Sequence, residues 1–147
     1  MKNFFGNAVV AAYAVFAVVA ACVPFEKTSV PPSQTGQQAA VQSLLTYAQA
    51  AMEINDYNQA EMHIERAVRI EPQNPLLWHT MAKIKFNQNQ YGQVINFCLK
   101  SNSMNTGQNQ LKKDNLLLMA SAYYMMGEYE KAEFVKQQAD QVKIDNN

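Results

Sequence analysis

Apolar residues recur along this chain in three matching sets. Leu44, Tyr47, Ala48, Tyr57, Ala60, Ile64 and Ala67 are followed by Trp78, Met81, Ala82, Tyr91, Val94, Cys98 and Ser101, and then by Leu116, Met119, Ala120, Tyr129, Ala132, Lys136 and Ala139. The second set stands 34 residues after the first and the third 38 after the second. A period in this range predicts helical hairpins, each of which leaves a face uncovered and buries it only by stacking on its neighbour.

Local signals agree with that division. Asn55-Asp56, Asn89-Gln90 and Gly127-Glu128 fall where each hairpin must turn. Asp56 suits a helix N-cap, with Gln59 three residues on. Asn74-Pro75 reads as N-cap and first helical residue, where proline loses no hydrogen bond, and Pro72 ends the helix before it. Ala48, Ala82 and Ala120, with Ala60 and Ala132, are small where paired helices must approach, and Val94 is the bulkier exception. Tyr57, Tyr91 and Tyr129 open the second helices and suit the wedge between hairpins. Four extra residues lie between Ser101 and Lys112, a stretch rich in Asn, Gln and Ser, which predicts a loop that loosens the joint between the second and third hairpins. The final helix is polar at Lys136, Gln137, Gln138, Asp140 and Gln141, as a terminal repeat with an open face should be.

Over about residues 41–146 this pattern resembles the tetratricopeptide repeat (TPR) family. The resemblance implies an all-α, TPR-type solenoid of three helix-turn-helix hairpins (41–74, 75–108 and 113–146) in a domain spanning 38–147. It also implies that the first helix of each hairpin lines a concave groove. The groove residues carried over on that basis are Leu45, Gln49 and Met52 in the first hairpin, His79, Lys83, Phe86 and Asn87 in the second, and Leu117, Ser121, Tyr124 and Met125 in the third. Phe86 and Tyr124 are the expected apolar anchors, with His79, Lys83 and Asn87 supplying polarity. An apolar strip with polar neighbours suits a peptide or a partner helix. The alternative is that part of the strip packs on the N-terminal segment or on a second copy. Two departures stand out. The family's end-of-repeat proline survives only as Pro72, and Leu45 and Gln49 replace the Lys and Asn of a carboxylate clamp.

The N-terminus carries an address. Residues 4–21 are apolar and uncharged after Lys2, and end in Val19-Ala20-Ala21-Cys22. This resembles a bacterial lipoprotein signal, which implies cleavage after residue 21 and lipid on Cys22. An uncleaved anchor is the alternative, because ~18–20 apolar residues can span a bilayer. Val23, rather than Asp, resembles default sorting to the outer membrane, with inner-membrane anchoring as the alternative. Residues 23–37, rich in Pro, Ser, Thr and Gly, read as a flexible tether reaching ~50 Å when extended.

Composition narrows the function. The 147 residues carry 12 basic and 12 acidic side chains, which argues against a nucleic-acid partner. The middle hairpin carries Lys83, Lys85 and Lys100 and no acid, between two more acidic neighbours. That suits either an acidic peptide or attraction between hairpins. His63 and His79 share no ligand spacing with Cys98 or a carboxylate cluster, and the glycines are isolated, so no metal, cofactor or phosphate loop is expected. Glu61 and Glu65, one helical turn apart, read as a solvated pair. Tyr123-Tyr124-Met125-Met126 reads as core and groove lining. The sequence therefore predicts a non-enzymatic, membrane-anchored periplasmic adaptor that binds envelope proteins or peptides and works in envelope, pilus or secretion assembly. A self-associating structural lipoprotein is the alternative.

Overall fold

The computed structural model describes residues 34–143. Cys22 and the segments read as signal and tether, up to residue 33, lie outside them. The described residues form six helices, α1 (Gln34–Glu53), α2 (Tyr57–Ile70), α3 (Pro75–Asn87), α4 (Tyr91–Met104), α5 (Asn109–Met125) and α6 (Tyr129–Gln141), and no strand. They pair as three antiparallel hairpins that stack in chain order, α3 against α2 and α5 against both α3 and α4. No helix among the described residues is long and apolar enough to cross a membrane.

The caps and turns form where the sequence places them. Asp56 accepts a hydrogen bond from the Gln59 amide at 3.1 Å, and Asn74 accepts one from the Leu76 amide at 3.1 Å with Pro75 opening α3. Asn55 and Asn89 both take the left-handed conformation at φ 61°, which asparagine tolerates better than most residues. Each then accepts a hydrogen bond from the tyrosine two residues on, Tyr57 Oη at 2.6 Å and Tyr91 Oη at 2.7 Å. The third turn uses Gly127 at φ 78°, which offers Tyr129 no such acceptor.

Two buried clusters hold the stack together. In the first, Ala48, Ala60 and Ile64 of hairpin one meet Leu77, Met81 and Ile84 of α3. In the second, Ala82, Val94 and Cys98 of hairpin two meet Met119, Ala120 and Ala122 of α5. The alanines at hairpin interfaces, Ala48, Ala60 and Ala82, have no exposed surface, as close helix approach requires.

Two sequence expectations are corrected. Helix α1 starts at Gln34, inside the stretch read as tether. Once Val41, Leu44, Leu45 and Ala48 are buried, each further helical residue costs little. The four extra residues do not lengthen the loop after the second hairpin. The links Glu71–Asn74 and Asn105–Gln108 are equal in length, and the insertion instead forms an added first turn of α5. Leu111 in that turn is buried, which gives the helix a reason to extend.

The joint so formed is not loose. Asn115 has no exposed surface. Its Nδ2 donates to Ser101 Oγ and Asn102 Oδ1, both at 2.8 Å. Ser101 Oγ in turn donates to the Pro75 carbonyl at 2.8 Å. Helices α3, α4 and α5 are thus tied by one satisfied polar network inside an otherwise apolar interface.

Candidate functional site

Five of the residues assigned to the groove come together. Phe86 of α3 with Leu117, Ser121, Tyr124 and Met125 of α5 border a surface cleft of about 770 Å³. Its other wall is α6, through Tyr129, Ala132, Glu133 and Lys136. Aromatic packing shapes the rim. Phe86 meets Tyr91 edge-on at 5.5 Å between centroids, and Tyr124 meets Tyr129 in the same way at 5.2 Å. Tyr124 and Tyr129 are each 62% exposed and Met125 is 54% exposed, so the rim of the cleft is apolar and open to solvent. The expectation of a polar open face is met only in part, because Glu133 and Lys136 on this wall are joined by Tyr129 and Ala132, and Phe134 elsewhere on α6 is 62% exposed.

The remaining groove residues divide. Gln49, Lys83 and Asn87 are exposed but do not border the cleft. Met52 packs half-buried against the first core cluster. Leu45 is a correction. It is 5% exposed and belongs to that core, so it has no free surface for a ligand. His79 is half-buried, with Nδ1 2.7 Å from Asn115 Oδ1. Because Asn115 already donates through Nδ2, its oxygen is the acceptor and His79 holds its proton on Nδ1. Burial pushes the His79 pKa below the ordinary histidine value, and nearby Lys83 lowers it further. The Asn115 hydrogen bond and Asp114 oppose this without cancelling it.

The middle hairpin's positive charge is spent mostly on structure. Lys85 is buried, and its Nζ donates to Glu61 Oε1 at 2.5 Å across the first joint. Gln88 Nε2 donates to the other Glu61 oxygen at 3.0 Å. Desolvation would raise the Glu61 pKa, but these hydrogen bonds and the Lys85 charge hold it below the usual carboxylate value. Lys100 Nζ sits 3.8 Å from the Trp78 ring centroid, a cation–π contact. Attraction between hairpins thus accounts for Lys85, and Glu61 is not a merely solvated carboxylate. Lys83 remains exposed.

Chemistry-bearing groups do not converge. Among the described residues no three His, Cys, Asp or Glu side chains stand together as a metal site. Burial pushes the Cys98 thiol up to about 12, so it packs as a small hydrophobe and is no nucleophile at neutral pH.

Sequence reasoning assigned the groove to first helices only and so missed the α6 wall. The signal was present, since Tyr129, Ala132, Glu133 and Lys136 repeat the register of Tyr57, Ala60, Glu61 and Ile64, which α3 covers in the first hairpin.

Comparison with known proteins supports the fold. A tetratricopeptide repeat family model matches residues 41–84, the first hairpin and most of α3. The globular C-terminal domain of P. aeruginosa LpoP is 28% identical at a TM-score of 0.67, over 69% of this chain and 95% of that one. The N-terminal domain of stress-induced protein-1 (STI-1) from C. elegans is 15% identical at a TM-score of 0.63, over 70% of this chain and 84% of that one, a likeness of fold alone. No curated protein matches the sequence. With three stacked hairpins, the family match over the first and these structural likenesses, the chain is a protein of the tetratricopeptide repeat type.

Proposed function

We propose that this protein is a lipid-anchored adaptor of the bacterial cell envelope, which captures a segment of another envelope protein in the cleft between Phe86 and Tyr124. The observation that carries this reading is the cleft itself. Exposed Tyr124, Met125 and Tyr129 surround small, covered Ala120 and Ala132, so anchors and a floor are already in place. An apolar floor and exposed apolar anchors with polar neighbours suit a protein segment that buries a few side chains and keeps its rim polar. Ser121, Glu133 and Lys136 border the cleft and give a bound segment polar contacts.

The anchoring half of the proposal rests on Lys2, the apolar run and Cys22. It draws support from the likeness to LpoP, where the similar part is a C-terminal globular domain, as the repeats are in this chain. Two acyl chains on Cys22 give stable attachment, where one alone is marginal. Replacing Cys22 with Ser is expected to release the protein from membranes. Replacing Phe86 and Tyr124 together with Ala is expected to abolish partner capture while helical content is unchanged. Full capture by that double variant contradicts the groove assignment.

A further inference from the structure

The cleft has two covered counterparts within the same chain. Ala120, Tyr124, Ala132 and Lys136 stand in the third hairpin where Ala48, Met52, Ala60 and Ile64 stand in the first and Ala82, Phe86, Val94 and Cys98 in the second. In the first hairpin this set is covered by α3, and in the second by α5. In the third it faces the cleft through all four residues. The cleft is therefore an open helix seat, and the first filled copy, whose wall carries an acid as the open seat does, shows what an occupant would present.

The filled seats are not identical, since Leu77, Met81 and Ile84 of the first occupant stand as Asn115, Met119 and Ala122 in the second, and one pair of positions differs in charge. In the first, Glu61 on the wall receives buried Lys85 from the seated helix. In the second, the same two positions hold Ile95 and Tyr123, both packed on the apolar cluster. Wall and occupant are thus matched, acid with cation in one and apolar with apolar in the other. In the open seat the wall residue is Glu133. It is exposed, and its carboxylate meets only Gln137 of its own helix, at 3.4 Å.

We propose that the open seat receives an amphipathic helix from the partner protein, with three apolar residues spaced as Leu77, Met81 and Ile84 and a Lys or Arg, in the place of Lys85, on Glu133. This rests on the adaptor reading above and names the partner's binding element. A second copy of this chain fits poorly. Helix α1, the one a head-to-tail stack would supply, has no Lys or Arg and places Ser43, Tyr47, Ala50 and Ala51 at those four positions. Lys136, in the place of Ile64, makes the seat less apolar than the first and leaves it suited to a reversible guest.

The probe is a synthetic peptide of residues 75–88, the helix that fills the first seat, titrated by fluorescence anisotropy against the full chain. Glu133→Lys is expected to weaken binding by about thirtyfold or more, as loss of a desolvated charge pair does. The peptide carrying Lys85→Glu is expected to reverse that preference, and Lys136→Ile to tighten binding of the unaltered peptide. No binding, or equal affinity of both peptides for both chains, overturns the seat. So does a concentration-dependent mass of the free chain that Glu133→Lys abolishes, because the occupant is then a second copy. Partner capture that is lost in the Phe86→Ala, Tyr124→Ala chain but unchanged by Glu133→Lys overturns the helix seat and leaves the groove reading standing.

Discussion

His79 Nδ1 and Asn115 Oδ1 lie 2.7 Å apart, a hydrogen bond that joins the second hairpin to the third. It fixes the imidazole in one tautomer and closes the network through Ser101, Asn102 and Pro75. Replacing Asn115 with Ala leaves His79 and Ser101 short of partners inside a packed joint. Stability to urea is expected to fall by roughly 1–3 kcal/mol. An unchanged midpoint contradicts a structural role for the network.

The same histidine gives a pH dependence whose sign is fixed. Burial first, and Lys83 second, hold its folded-state pKa below the ordinary 6.5. Between that value and the lower folded-state value, the unfolded chain binds the extra proton. Stability from keeping His79 neutral is therefore complete above about 6.5 and is lost as pH falls toward the folded-state pKa. Unfolding of His79→Gln is expected to be flatter across that window, while Glu61 adds its own slope at lower pH.

At the first joint, Glu61→Ala strands buried Lys85 and is expected to cost roughly 3 kcal/mol, the low end for a broken buried pair because Glu61 is itself partly exposed. The pair Glu61→Ile with Lys85→Tyr copies Ile95 and Tyr123 of the second joint and is expected to recover most of that loss. The Glu61 carboxyl titrates below its ordinary 4.5, so the wild-type joint holds above that value and weakens as pH falls through the folded-state pKa. The double variant is expected to lose this acid sensitivity, as unfolding at pH 3 and pH 7 would show.

The turn asparagines make a smaller prediction. Asn89→Ala puts a Cβ-bearing side chain with no hydrogen-bonding group at φ 61° and removes the Tyr91 acceptor, and it is expected to destabilise by about 1–2 kcal/mol. Asn89→Gly keeps the conformation and loses only the acceptor, so its thermal midpoint is expected to lie between those of Asn89→Ala and the wild type.

The hairpins, caps and turns were legible because each rests on local chemistry: a periodic apolar face, Asp56 and Asn74 as caps, and Asn55, Asn89 and Gly127 at left-handed turns. The insertion was misread because its Asn, Gln and Lys residues have no strong local preference. Only Leu111, four residues before Asn115, marked it as a buried helical turn. Asn115 itself was invisible, because a polar residue among core positions shows its value only when Ser101, Asn102 and His79 are brought around it. Leu45 was assigned to the groove from the family pattern, yet in this chain it is packed into the first core. Glu133 was missed for the opposite reason. Its position is covered in the other two hairpins, and it lines a cleft because no helix among the described residues follows α6.

The most direct test of the adaptor reading places a photo-crosslinking residue at position 124 in the full chain, with position 65 on the exposed face of α2 as control, and identifies adducts in intact cells. The expected result is one envelope protein captured from position 124 and not from position 65. Adducts only between copies of this chain, or the same mixture from both positions, would contradict a partner-binding cleft at Tyr124.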